Sequence, residues 1–126
     1  MLLNQASAAT ATSILDSVSA ANTAAATSGS SKWLDVRAYD GELLVLQILG
    51  SVTGTIAGKL QSASDANGTG AADITGATFS SNAQNTTGKC VVDPKKVVGG
   101  FLGYVGTIAT GPSIVGVTVV GKLKYV

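Results

Sequence analysis

The sequence predicts an all-β protein: an antiparallel β-sandwich, jelly-roll-like, with an extended N-terminal arm. Three observations carry that expectation. From residue 32 onward, short β-branched runs alternate apolar and polar residues, the period of a half-buried strand. Turn residues separate these runs at roughly the 8–12-residue spacing of sandwiches and barrels. No segment sustains the 3.6-residue period of a long helix, and no repeat recurs at a fixed interval.

The elements follow in order. Residues 1–31 are Ala, Ser and Thr with few large apolar side chains: Leu2, Leu3, Ile14, Leu15 and Val18. Such a segment buries too little apolar surface alone to offset its ordering entropy. It reads either as an arm that orders on a partner or as a first strand laid on the domain. On the arm reading, deleting residues 1–20 would leave a folded domain, and residues 32–126 form the sandwich. Residues 32–39 alternate, with Leu34, Val36 and Ala38 on one side. Asp40-Gly41 follows as a strong hairpin signal. After Glu42, residues 43–49 are almost wholly apolar on both faces, apart from Gln47, as in a central strand covered twice, the second cover coming from another chain. Residues 55–62 alternate again, before a turn-rich loop at 64–70. Residues 74–79 and 89–93 are short strands, the second stopped by Pro94. Residues 101–110 and 114–125 read as a closing hairpin around Gly111-Pro112, which makes seven strands.

Composition narrows the function. The 126 residues suit one domain. Charged residues make up 12%, about half of the usual ~25%. A free monomer normally uses charge to stay soluble, so the deficit suits a subunit partly covered by neighbours. A net charge of +1 gives no long-range attraction to nucleic acid or an anionic membrane. The charge-free run at 97–121 is long enough to span a bilayer, but its glycines, Pro112 and β-branched residues favour strands. Met1-Leu2-Leu3-Asn4-Gln5 lacks the basic and apolar regions of an export signal. The sequons at Asn67 and Asn85 are therefore read as chance matches.

Chemistry is sparse. The sequence has no histidine, which removes Ser-His-Asp and Cys-His constellations and imidazole zinc sites. Cys90 is the single cysteine and reads as a small apolar strand residue. The seven acids are scattered, with no pair marked for glycoside hydrolysis. Gly58-Lys59 lacks the spacing and following hydroxyl residue of a phosphate loop. Asp65-Ala66-Asn67-Gly68 with Asp73 offers oxygen ligands, but the same residues make an ordinary turn. No catalytic, metal or cofactor site is expected, and the protein is not expected to be an enzyme. Trp33 alternates away from Leu34 and Val36, which suits an interface anchor, a sugar platform or an edge cap.

The layout resembles the cement, or head-decoration, proteins of tailed bacteriophages, small jelly-roll-like virion proteins. Three stretches carry the resemblance. They are the Met1-Leu2-Leu3 start running into an Ala/Ser/Thr arm, the apolar strand 42–49 followed by residues 58–65, and the ending 101–112 with a final strand. Lys95-Lys96 stands where that family has a basic-aromatic run, but Val97-Val98-Gly99-Gly100 follows it. The resemblance implies a protein on the outer surface of the capsid that bridges major capsid protein subunits against internal DNA pressure. It implies a homo-oligomer, a dimer in preference to a trimer, with no cofactor, no direct nucleic acid binding and no membrane. Exposure logic places the interface at Leu2, Leu3, Trp33, Tyr39, Leu44 and Leu46. The alternatives are another virion subunit, of tail or fibre, and a carbohydrate-binding sandwich using Trp33 and the 64–73 loop.

Overall fold

The computed structural model describes residues 9–20, 33–52, 56–79, 85–108 and 113–124. Eight strands follow in chain order: β1 (Thr10–Ala20), β2 (Leu34–Asp35), β3 (Tyr39–Val52), β4 (Ile56–Ala63), β5 (Ala72–Thr78), β6 (Thr87–Val92), β7 (Phe101–Ile108) and β8 (Ser113–Leu123). They form two antiparallel sheets, ordered β1-β8-β3-β6 and β2-β7-β4-β5. The first strand pairs with the last, the second with the last but one, and so inward to β4 and β5. This nesting is that of one long hairpin rolled into two sheets, the arrangement of a jelly roll.

Side-chain alternation sets which face of each strand goes inward. In β3, Leu43, Val45, Gln47 and Leu49 are buried, while Leu44, Leu46 and Ile48 between them are not. In β8 the buried set is Val115, Val117 and Val119. Ile56 and Leu60 of β4 and Leu102 and Tyr104 of β7 meet them from the other sheet. Each fully buried aliphatic side chain contributes about 1.5–3 kcal/mol.

The structure corrects the sequence reading at four places. The boundary of the sandwich moves from residue 32 to Thr10, and of the two readings of the N-terminal segment the first strand laid on the domain is the one seen over residues 10–20. β1 pairs with β8 from Thr10 opposite Gly121 to Ala20 opposite Ser113, and Ile14 is fully buried. Residues 10–20 are thus an integral edge strand, and deleting residues 1–20 would remove core and uncover β8. The Ser and Thr content of the segment is compatible with a strand, where β-branched Thr fits well. Residues 1–8 and 21–32, including Leu2 and Leu3, lie outside the described residues.

Asp40-Gly41 makes no hairpin. β3 runs through it, and Gly41 takes φ +77° within a bulge. Four steps along β3, from Asp40 to Leu44, match two along β8, from Lys122 to Val120. Both a tight hairpin and this kind of bulge use a positive φ, so the dipeptide alone does not separate them. The reversal falls earlier, where Tyr39 N donates to Val36 O at 3.2 Å and the chain passes between sheets. That turn shortens the strand expected at 32–39 to Leu34–Asp35. Finally, β7 and β8 belong to different sheets, so the last connection crosses the sandwich instead of closing a hairpin. The charge-free run is thereby divided between two strands. Among the described residues no helix is long and apolar enough to cross a membrane.

One polar contact lies inside this core. Tyr104 Oη donates to Gln47 Oε1 across the sheets, and Gln47 Nε2 is buried without a partner. Both side chains are fully buried. They occupy the space beside Gly58, where an added Cβ would collide with the Gln47 amide and the Tyr104 ring. Phe79 packs edge-on against Tyr104, with ring centroids 5.9 Å apart. Replacing Tyr104 by Phe leaves the whole Gln47 amide unpaired, and should cost about 1–3 kcal/mol in urea unfolding. Combining Tyr104→Phe with Gln47→Met should recover most of that loss. Burial also pushes the Tyr104 phenol up. Its contribution to stability is therefore present below about pH 10 and declines as pH rises beyond it, and the decline should vanish in the Tyr104→Phe protein.

Candidate protein interface

The outward side chains of β3 head the candidate site. Leu44 lies between Val91 of β6 and Val120 of β8. Leu46 lies between Lys89 and Thr118, and Ile48 between Thr87 and Gly116. Ile114 follows on the same face, because its neighbour Val115 points inward. Leu44, Leu46 and Val120 are half-buried. Ile48, Val91 and Ile114 are 47%, 56% and 39% exposed. The outer face of this sheet is thus an apolar strip across three strands, while Gln47, the polar residue of that stretch, points inward. A contiguous apolar patch on a small protein marks an interaction surface more often than a single exposed leucine does.

Charge stays at the margin of the strip. Glu42, Lys89 and Lys122 are exposed around it, and none has an ion pair among the described residues. A shallow hollow of about 480 Å³, lined by Ala9, Glu42, Leu44, Val91, Gly121 and Lys122 among others, opens at one end of the face. The two ion pairs among the described residues belong to the other sheet and its turns. Arg37 meets Asp35 at 2.7 Å, and Lys59 meets Asp73 at 3.0 Å.

The expected site residues divide. Leu44 and Leu46 sit on the apolar face. Tyr39, expected to be exposed, is 6% exposed and belongs to the core. Its ring lies against Gly121, where a Cβ would come within 2.7 Å of it. It shares the inward phase of Leu43, Val45, Gln47 and Leu49 along the same strand. Trp33 is half-buried, with its ring over Gly103 and beneath Gly68. A Cβ on Gly68 would fall 2.5 Å from Trp33 Nε1. Trp33 therefore packs between the β4–β5 loop and the sheet, which fits the edge-cap reading among the three. Ile48, Val91, Ile114 and Val120 were not singled out from the sequence. Their signal was the alternation itself, which becomes informative once the buried neighbours fix the phase.

The loop acids have local partners. Asp65 Oδ1 accepts from Asn67 N at 2.9 Å and Thr69 N at 3.2 Å. Asp73 accepts from Gln61 Nε2 at 2.8 Å and Lys59 Nζ at 3.0 Å. Among the described residues no group of three or more His, Cys, Asp and Glu could hold a metal ion. Cys90 is buried, which pushes its thiol up.

No protein-family model matches the chain, and no curated protein matches it. Among solved structures, the chain is similar to the SPBc2 prophage-derived protein YomS. The TM-score is 0.55, over 90% of this chain and 93% of that one, at 17% identity. At that identity the likeness shows a shared fold.

Hydrogen bonds from Arg37 hold the Asp35 carboxyl below the usual range; bonds from Thr69 and Asn67 do so for Asp65, and bonds from Gln61 and Lys59 for Asp73. Their contribution to stability is present above the unfolded value near ~3.9 and is lost as pH falls through the lower folded values. The urea midpoint should therefore drop on acidification below about pH 4, and Asp65→Asn should flatten that drop.

Proposed function

We propose that this protein is a non-enzymatic structural virion protein, a capsid cement protein of a tailed bacteriophage. On this reading it binds the outer surface of the capsid, bridges neighbouring major capsid protein subunits and holds the head against DNA pressure. The apolar outer face of β3, β6 and β8 is the observation that carries the reading. A side chain as exposed as Val91 gains free energy from a protein partner, and nothing on that face points to chemistry. Three further observations support it: the jelly-roll order, the low charge, and the likeness to a prophage-derived protein. The protein works as a homo-oligomer, a dimer in preference to a trimer, without cofactor, nucleic acid or membrane. One modest interface repeated over a lattice makes a strong shell through avidity.

Light scattering of the protein mixed with expanded, undecorated phage capsids tests the proposal. Saturation at a fixed ratio of protein to capsid subunit is the expected result. No binding, with rings or tubes forming in the absence of capsids, would instead assign it to a tail or fibre.

A further inference from the structure

We infer that the outer face of the β1-β8-β3-β6 sheet binds a second copy of this chain, face to face about a two-fold axis that crosses the strands at Leu44. This inference rests on the assembly reading above and adds the surface and its occupant. Three observations select a second copy.

The first is charge. Lys89 stands opposite Leu46 on β6, two residues beyond Leu44 along the strands, and Glu42 stands two residues before Leu44 on β3. A two-fold at Leu44 exchanges those two rows. It therefore brings Lys89 of each copy toward Glu42 of the other, one strand apart, and both are without ion pairs among the described residues. The second is the central row. Leu44 stands between Val91 and Val120 on its two neighbouring strands, with no charged residue in that row of three. Leu44, Val91 and Val120 then meet their own counterparts at the axis, an apolar centre with a charged rim. The third is area. Under this rotation the rows within about two residues of Leu44 overlap, about a dozen outward residues a side against ~20–30 in a standard interface, so a pair would bury roughly 800 Å² in total. That is the small end of specific interfaces. It fits a self-association that is concentration-dependent on its own and is reinforced when many copies are held on a lattice.

Sedimentation velocity of the full chain from about 1 to 100 μM tests the inference. A reversible monomer–dimer equilibrium is expected. Val91→Asp, at an exposed position, should keep the circular dichroism of the parent and weaken the dimer at least tenfold. Glu42→Lys and Lys89→Glu should each weaken it several-fold, and the double exchange should return it to within about twofold of the parent. A protein monomeric throughout that range, a trimer, or a dimer indifferent to Val91→Asp or to the charge exchange would overturn the inference. Capsid binding by the Val91→Asp monomer is read separately. If it persists while the parent dimerises, self-pairing is independent of the capsid contact. If the parent dimerises but never binds capsids, the cement reading fails and the dimer stands.

Discussion

Tyr104 of one sheet donates to Gln47 of the other in the space beside a glycine. That contact requires the two sheets at one spacing and one register, because a slip by a single residue would turn Gln47 outward and bring Leu46 or Ile48 in. With β3 fixed, its pairing with β6 and β8 follows, and β1 follows β8. With β7 fixed, β2 and β4 follow on either side and β5 follows β4. The buried amide nitrogen of Gln47 has no partner, so the pair costs stability. An apolar pair would fill the same space, but would define the phase of the alternating strand less sharply.

The same phase produces the open face. Residues 43–49 hold six apolar side chains and one glutamine. Placing Gln47 inside leaves Leu44, Leu46 and Ile48 outside, where a monomer would ordinarily place polar residues. Few charges accompany this arrangement, and they border the strip instead of interrupting it, apart from Lys89 at its edge strand. Such a surface is expensive in water and favourable against protein.

The fold was legible where composition and period sufficed. The strands at 55–62, 89–93 and 114–125 were readable from alternation, and the sandwich class from their spacing. Two kinds of information were missing. One was phase: alternation in a run such as 42–49 has two equivalent readings until a buried neighbour selects one, so Ile48 and Val91 could not be told from core. The other was context for special backbone. Asp40-Gly41 supplies a positive φ wherever one is needed, and only the pairing with Lys122 and Val120 identifies a bulge. The exposure expected of Tyr39 failed for a related reason, and the choice among the readings of Trp33 depended on it too. Large aromatics suit interfaces, but here glycines on neighbouring strands, Gly103 and Gly121, make room for them at home. The Ala/Ser/Thr segment that became β1 is an edge strand with little side-chain signal of its own. Its partner β8 determines it.

Hydroxyl-radical footprinting of the protein, dilute and then in its assembled state, tests the central claim most directly. Ile48, Val91 and Ile114 are expected to lose reactivity on assembly while Lys59, Gln61 and Val98, on the opposite sheet and its turns, keep theirs. Unchanged labelling of Ile48 and Val91, with protection confined to the β2-β7-β4-β5 sheet, would contradict it.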